Sequence, residues 1–168
     1  NYRFHRYKKI IAISKFIKNH LIKYYRVNPN DIDVIYHGVN IKEFKRNYKI
    51  RRRIRTELGI SKNDFVLLFI GNEYERKGLP YLLDAMKKIK EDRIKLIIAG
   101  KDNSKQFRNI SSEITDKRII FVGHTDKIKE YFSASDLFVF PSSFDAFAMV
   151  ITEATAAGLP VITSNTTG

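Results

Sequence analysis

Between residues 65 and 163, short apolar runs alternate with segments of helical periodicity, and no other feature limits so strongly what this chain can fold into. The runs occupy residues 65–71, 94–100, 118–122, 137–140 and 160–163. Helix-compatible segments lie between them at 79–90, at 106–114 (the weakest), at 127–134 and in an Ala-rich stretch that stops at Gly158. Leu79, Leu82, Leu83, Met86 and Ile89 share one face of the first of these helices. Apolar runs without polar alternation are strands covered on both faces, and strand–helix alternation joins such strands in parallel. The expected fold class is α/β, a Rossmann-like, doubly wound parallel sheet.

The opening of the chain carries a smaller unit. Residues 8–14 (KKIIAIS) read as a strand ending at Ser14, a suitable N-cap. From 15 to 26 the apolar positions Phe16, Ile17, Leu21, Tyr24 and Tyr25 follow helical spacing, which predicts an amphipathic helix with a basic outer face. Asn28, Pro29 and Asn30 end it, and residues 32–36 return as a strand that runs into His37 and Gly38. A lone strand–helix–strand unit leaves one face of each element uncovered. Residues 1–40 are therefore expected to be the last unit of a preceding domain. Residues 41–63, polar and basic with a short helix near 51–58 closed by Gly59, are expected to link it to the α/β domain over 64–168, which is itself expected to be truncated. The first residue is Asn1 rather than Met, and the chain reads as part of something longer.

The net charge of +13 resides entirely in the first third: residues 1–55 hold 16 Lys or Arg against 3 acids, whereas residues 56–168 hold 15 of each. The basic clusters 3–26 and 42–55 flank an apolar strand instead of interleaving with aromatics on one surface, so nucleic acid is an unfavoured partner. An anionic membrane surface, an acidic substrate or a solvated face suits them equally. The absence of Cys excludes disulfides and thiolate metal sites and suits a reducing compartment. The longest apolar runs are far short of a membrane span.

Chemistry concentrates in residues 141–164, PSSFDAFAMVITEATAAGLPVITS. Asp145 is expected to cap the Ala-rich helix, which would make the amides of Ala146, Phe147 and Ala148 unpaired donors at a helix start, an arrangement suited to phosphate. Glu153 follows eight residues later, and about 800° of helical rotation would bring it within about 80° of Asp145. An ordinary capped helix with a solvated Glu satisfies the same pattern. A strand order of 3-2-1-4-5 would make the first and fourth strands neighbours at a topological switch, where ligands bind beyond the carboxyl ends of strands. The loops after those strands carry Gly71 with Arg76, Lys77 and Gly78, and residues 141–148, so two phosphate-binding features converge. His5, His20, His37 and His124 are scattered, and no His–carboxylate cluster has the spacing of a metal site.

Four stretches resemble the retaining, nucleotide-sugar-dependent glycosyltransferases of group 1 (family 4), which have the GT-B fold of two Rossmann-like domains. IDVIYHGVNIKEF is similar to their interdomain stretch, FIGNEYERKG to the phosphate loop, IIFVGHTD to the base-binding strand end, and ASDLFVFPSSFDAFAMVITEATAAGLPVI to the donor-binding signature. The ERKG and EATAAGLPV versions look most like lipopolysaccharide-core glucosyltransferases. The resemblance implies that Arg76 and Lys77 neutralise the donor diphosphate, with Gly71 allowing close backbone approach and the amides of Phe147, Ala148 and Met149 facing sugar and phosphate. It implies that Asp145 is the catalytic acid that contacts donor-sugar hydroxyls, that Glu153 holds the ribose, and that Val122, Gly123 and His124 lie near the base. Three positions depart from the pattern: Asp145 stands where Glu is usual, Ala148 where Gly is usual, and His37 where Asn is usual. The implied activity is transfer of a hexose with retention, from a nucleotide-diphosphate sugar (a UDP-sugar first among them) to a glycan or lipid-linked acceptor. No metal or other cofactor is required, and the implied place is the cytoplasm or the inner face of a membrane. The isolated chain, lacking the acceptor domain, is expected to bind donor without transferring sugar. A non-catalytic nucleotide- or polyanion-binding module is the competing expectation, although a phosphate-only binder has no need of Asp145 together with Glu153.

Overall fold

The computed structural model describes residues 8–102, 104, 106–107 and 109–168; Arg3, His5 and Arg6 of the first basic cluster, and Arg108 within the weakest expected helix, lie outside them. The described chain opens with strand β1 (Ile10–Ala12), helix α1 (Lys15–Tyr25) and strand β2 (Ile32–Val34), the strands paired in parallel. Ser14 caps α1 as expected, its Oγ accepting from the Ile17 amide at 3.1 Å. The helix buries none of its residues, and Tyr24 and Tyr25, expected on its apolar face, are exposed because a two-stranded sheet is too narrow to cover a whole helical stripe. Strand β2 stops earlier than expected for the same reason, leaving Ile35 and Tyr36 exposed.

Helices α2 (Ile41–Phe44) and α3 (Tyr48–Glu57) follow. Helix α3 begins earlier than the sequence pattern suggests because Asn47 caps it, its Oδ1 accepting from the amides of Lys49 at 2.9 Å and Ile50 at 3.1 Å. Gly59, with φ of 66°, closes it. Helix α3 packs on helix α6 (Ile128–Ala134), and its arginines are built into the fold. Arg51 Nη2 and Arg55 Nη2 reach the Asp136 carboxylate at 2.7 and 2.5 Å, with Arg46 at 3.5 Å. Arg55, buried, also donates to the carbonyls of Ala134, Ser61 and Asp64. The same carboxylate accepts the Val66 amide at 2.9 Å, which fastens the helix to the first strand of the main sheet. Burial pushes the Asp136 carboxyl up, but the Val66 amide and the arginines outweigh it and hold it below the usual carboxylate range.

The main sheet contains β3 (Phe65–Ile70), β4 (Ile94–Ala99), β5 (Ile119–Gly123), β6 (Leu137–Phe140) and β7 (Val161–Thr163), all parallel, in the order β5-β4-β3-β6-β7. That is the 3-2-1-4-5 order, and the Rossmann-like α/β class expected from the alternation is the one observed. Helices α4 (Leu79–Lys88), α5 (Ile110–Glu113), α6 and α7 (Met149–Ala156) supply the crossovers. Right-handed crossovers put α4 and α5 on one face and α6 and α7 on the other, since the chain reverses its direction of travel after β5. Val66, Leu68, Phe69, Leu96, Ile97, Ile98, Phe138 and Phe140 are fully buried between the helical layers, as strands covered on both faces require. Leu79, Leu82, Leu83 and Met86 form the buried stripe of α4, as the sequence spacing predicts.

Candidate active site

Strands β3 and β6 are neighbours, Leu67 pairing with Leu137 and Leu68 with Phe138, so the loops that follow them leave the sheet side by side. Two glycines permit the close approach of backbone that the site needs. Gly78 starts α4 with φ of 80°, and a Cβ there would lie 1.9 Å from the Pro141 carbonyl oxygen. Gly100, with φ of 125°, lies against the Gly71 carbonyl, which a Cβ would approach to 2.0 Å. A Cβ on Gly71 would come within 3.2 Å of the Lys77 side chain. The result is a crevice of about 410 Å³ whose lining includes Gly71, Arg76, Lys77, Asp145, Ala148 and Met149. With Phe147, which also lines it, all the residues assigned to donor phosphate and sugar from sequence are brought to one place.

Within the crevice the charged groups are already paired. Lys77 Nζ makes an ion pair with Asp145 Oδ2, both side chains largely buried, and the ammonium stands 5.3 Å from the centre of the Phe140 ring. Arg76 gives Nε and Nη2 to the two oxygens of Glu73, each at 2.9 Å, and Nη1 to the Phe144 carbonyl at 2.8 Å. Its own carbonyl accepts from the Ser142 hydroxyl and from the Ser143 amide and hydroxyl, so side chain and main chain of Arg76 both bind the β6 loop.

The helix after Asp145 does not begin where the sequence suggests. Helix α7 starts at Met149 with Ala148 in the cap position, three residues later than a cap at Asp145 would require. The reason is long-range: the Asp145 amide donates to Thr166, the Gly168 amide donates to Asp145, and Asp145 bridges Thr167, so this stretch is extended against the end of the chain. Asp145 still accepts a local bond from the Phe147 amide at 3.2 Å, and the Met149 amide donates to the Phe147 carbonyl at 2.9 Å. Two of the three amides assigned to the donor are therefore engaged within the loop. Because Asp145 is outside the helix, the rotational argument relating it to Glu153 does not apply. Glu153 lies further along α7, partly buried, and is not among the residues lining the crevice with Asp145. Burial pushes its carboxyl above the usual range, with Lys129 acting in the opposite direction.

Val122, Gly123 and His124 line a second cavity of about 830 Å³, together with Tyr74, Lys101 and Asp102. Gly100 and His124 border both cavities, which places the expected base-side residues next to the phosphate-side ones. His20 and His37 instead lie against aromatic rings of the β6 loop: His20 is 6.1 Å from Phe144 and His37 is 5.3 Å from Phe147. Sequence reasoning missed the residues that lock the β3 loop. Asn72 Oδ1 accepts the Lys101 amide at 2.9 Å, Asp102 Oδ2 accepts the Tyr74 amide at 2.6 Å, and Glu73 adopts a φ of 54°. An Asn and an Asp beside loop glycines are a turn signal, but their cross-loop pairing depends on the β3–β4 register. Among the described residues no group of three or more His, Cys, Asp or Glu could hold a metal ion.

A sequence profile of the family described as Glycosyl transferases group 1 matches residues 50–168, and one described as Glycosyltransferase Family 4 matches residues 1–43. The chain belongs to the group 1 glycosyltransferases. It is 30% identical over 95% of its length to an uncharacterised glycosyltransferase of Methanocaldococcus jannaschii, and 29% identical over 95% to the UDP-Gal:alpha-D-GlcNAc-diphosphoundecaprenol alpha-1,3-galactosyltransferase of Escherichia coli, covering 43% of each. Among solved structures it is similar to Anabaena HepE in complex with UDP-glucose, with a TM-score of 0.85 and 26% identity over 96% of this chain and 46% of that one. The lipopolysaccharide glucosyltransferase WaaG of Escherichia coli K12 is 25% identical over 87% of this chain and 41% of its own. The chain therefore spans less than half the length of the curated relatives it matches.

Proposed function

We propose that this chain is the donor-binding part of a retaining hexosyltransferase that moves a sugar from a UDP-sugar, or another nucleotide-diphosphate sugar, to a glycan or lipid-linked acceptor. The observation that carries the reading is the convergence of the β3 and β6 loops, which sets Arg76 and Lys77 beside Asp145 at the topological switch. Its support from similar proteins is the UDP-glucose in the HepE complex and the UDP-sugar donor named for the Escherichia coli galactosyltransferase. Arg76 and Lys77 take the diphosphate. As the sugar–phosphate bond breaks, negative charge grows on the leaving diphosphate, and a cation in a partly buried site stabilises it more than water would. Asp145, held by Lys77 and by the Phe147 amide, meets the sugar hydroxyls; Glu153 takes the ribose and residues 122–124 the base. The reading requires neither metal nor other cofactor.

In the same reading residues 1–40 are the last unit of an acceptor domain, 41–63 join it to the donor domain over 64–168, and the basic first third faces an anionic membrane surface where a lipid-linked acceptor is held. No described helix is long and apolar enough to cross a membrane. Calorimetric titration with UDP, UDP-sugars and uridine tests the donor assignment. UDP binds far more tightly than uridine, and Lys77→Ala weakens UDP by roughly tenfold or more, since a charge-assisted bond contributes about 1.5–3 kcal/mol. Equal affinities for UDP and uridine contradict it.

A further inference from the structure

The charged side chains lining the crevice are Glu73, Arg76, Lys77 and Asp145, two of each sign, alongside His124. Both cations have carboxylate partners, so a diphosphate reaching Arg76 and Lys77 meets an occupied pair of sites. One carboxylate must give way, and the structure distinguishes the two. Asp145 is only 12% exposed at its side chain, and its backbone is bonded to Thr166 and Gly168. Glu73 is 66% exposed and is a non-glycine residue in the left-handed region, a conformation that stores strain. Its carbonyl accepts the Lys77 amide at 3.0 Å, so the turn survives release of the side chain.

We propose that Glu73 is an internal stand-in for the donor phosphate, a carboxylate that occupies the Nε–Nη2 edge of Arg76 until a phosphate displaces it. The inference rests on the reading of Arg76 as a diphosphate ligand. Arg76 remains anchored throughout through Nη1 to the Phe144 carbonyl and through its own carbonyl to Ser142 and Ser143, so only the fork facing Glu73 changes partner. A guanidinium fork binds carboxylate and phosphate with the same geometry, which is what lets one replace the other. The exchange makes affinity depend on ligand charge: phosphate-bearing ligands compete with Glu73, and an uncharged nucleoside does not.

Calorimetry with UDP and uridine on the full chain and its Glu73→Gln and Glu73→Asn variants tests this. Asn tolerates the left-handed backbone and guards against misfolding of the Gln variant. Both variants bind UDP about three- to fivefold tighter, the worth of an exposed ion pair, and bind uridine as the parent does. Unchanged or weaker UDP binding in both, with Arg76→Ala still weakening it, overturns the role of Glu73 and leaves the diphosphate site standing. UDP binding unaffected by Arg76→Ala removes the reading beneath the proposal, and the proposal with it.

Discussion

The β1–α1–β2 unit and the five-stranded sheet obey the same parallel strand–helix–strand rule, yet one buries almost nothing and the other has a complete core. In the small unit Ala12, Ser14 and Ile32 are buried, while Ile11, Tyr24, Tyr25, Ile35 and Tyr36 are exposed. In the large one all of β3 after Phe65 is buried, sealed by helices on both faces. The small unit is held by its contacts with the site. Phe16 lies 5.5 Å from Phe144, Tyr36 lies 6.1 Å from Phe147, and Ser14 Oγ donates to the Ala146 carbonyl at 2.7 Å. Strand pairing alone does not make a stable unit; covered faces do, and here the cover includes the loop that carries Asp145.

Ion pairs should separate the two regions most sharply. Asp136→Asn removes the anion shared by three arginines and should cost about 3 kcal/mol in chemical denaturation, since breaking a buried pair leaves charge uncompensated. Asp33→Asn breaks an exposed pair with Lys9 and should change stability by less than about 0.5 kcal/mol. The Asp136 carboxyl titrates below its unfolded value, so its contribution is present above the unfolded carboxylate range and lost as pH falls through the folded one. Acid melts of Asp136→Asn should therefore lack that part of the parent's pH dependence.

Smaller effects follow from the site's own backbone and its contacts. Gly78→Ala should cost at least about 2 kcal/mol and weaken UDP binding, because it combines a left-handed φ with a collision against Pro141. Phe144→Ala should cost about 1 kcal/mol and act on one region only: hydrogen exchange in α1 accelerates while β3 keeps its protection. Glu153→Gln should leave thermal stability at neutral pH unchanged or slightly higher while weakening UDP. Its folded carboxyl is raised by burial, so the ionised form is disfavoured above the unfolded carboxylate range and the amide removes that penalty.

Much of the sheet was legible in the sequence because its signals are local: uninterrupted apolar runs, the Leu79–Met86 stripe, and a chain order that allows the switch between β3 and β6. What was not legible depends on pairs far apart in sequence. The start of α7 was displaced by bonds from residues 166–168 to Asp145, which no window of the sequence contains. The basic run of α3 read as polar connection because nothing local shows that Arg51 and Arg55 meet Asp136, 85 and 81 residues away. Arg76, Lys77 and Asp145 were singled out from sequence, but the pairing of Arg76 with Glu73 and of Lys77 with Asp145 is seen only in the folded loops.

The central claim is that the β3 and β6 loops form one diphosphate site, and amide chemical-shift mapping with UDP reports on it residue by residue. The account predicts shifts concentrated at residues 71–78 and 145–150, extending to His124, with α3 unaffected. Shifts centred instead on the exposed basic face of α3, at Lys49, Arg52 and Arg53, would contradict it and mark the chain as a polyanion binder.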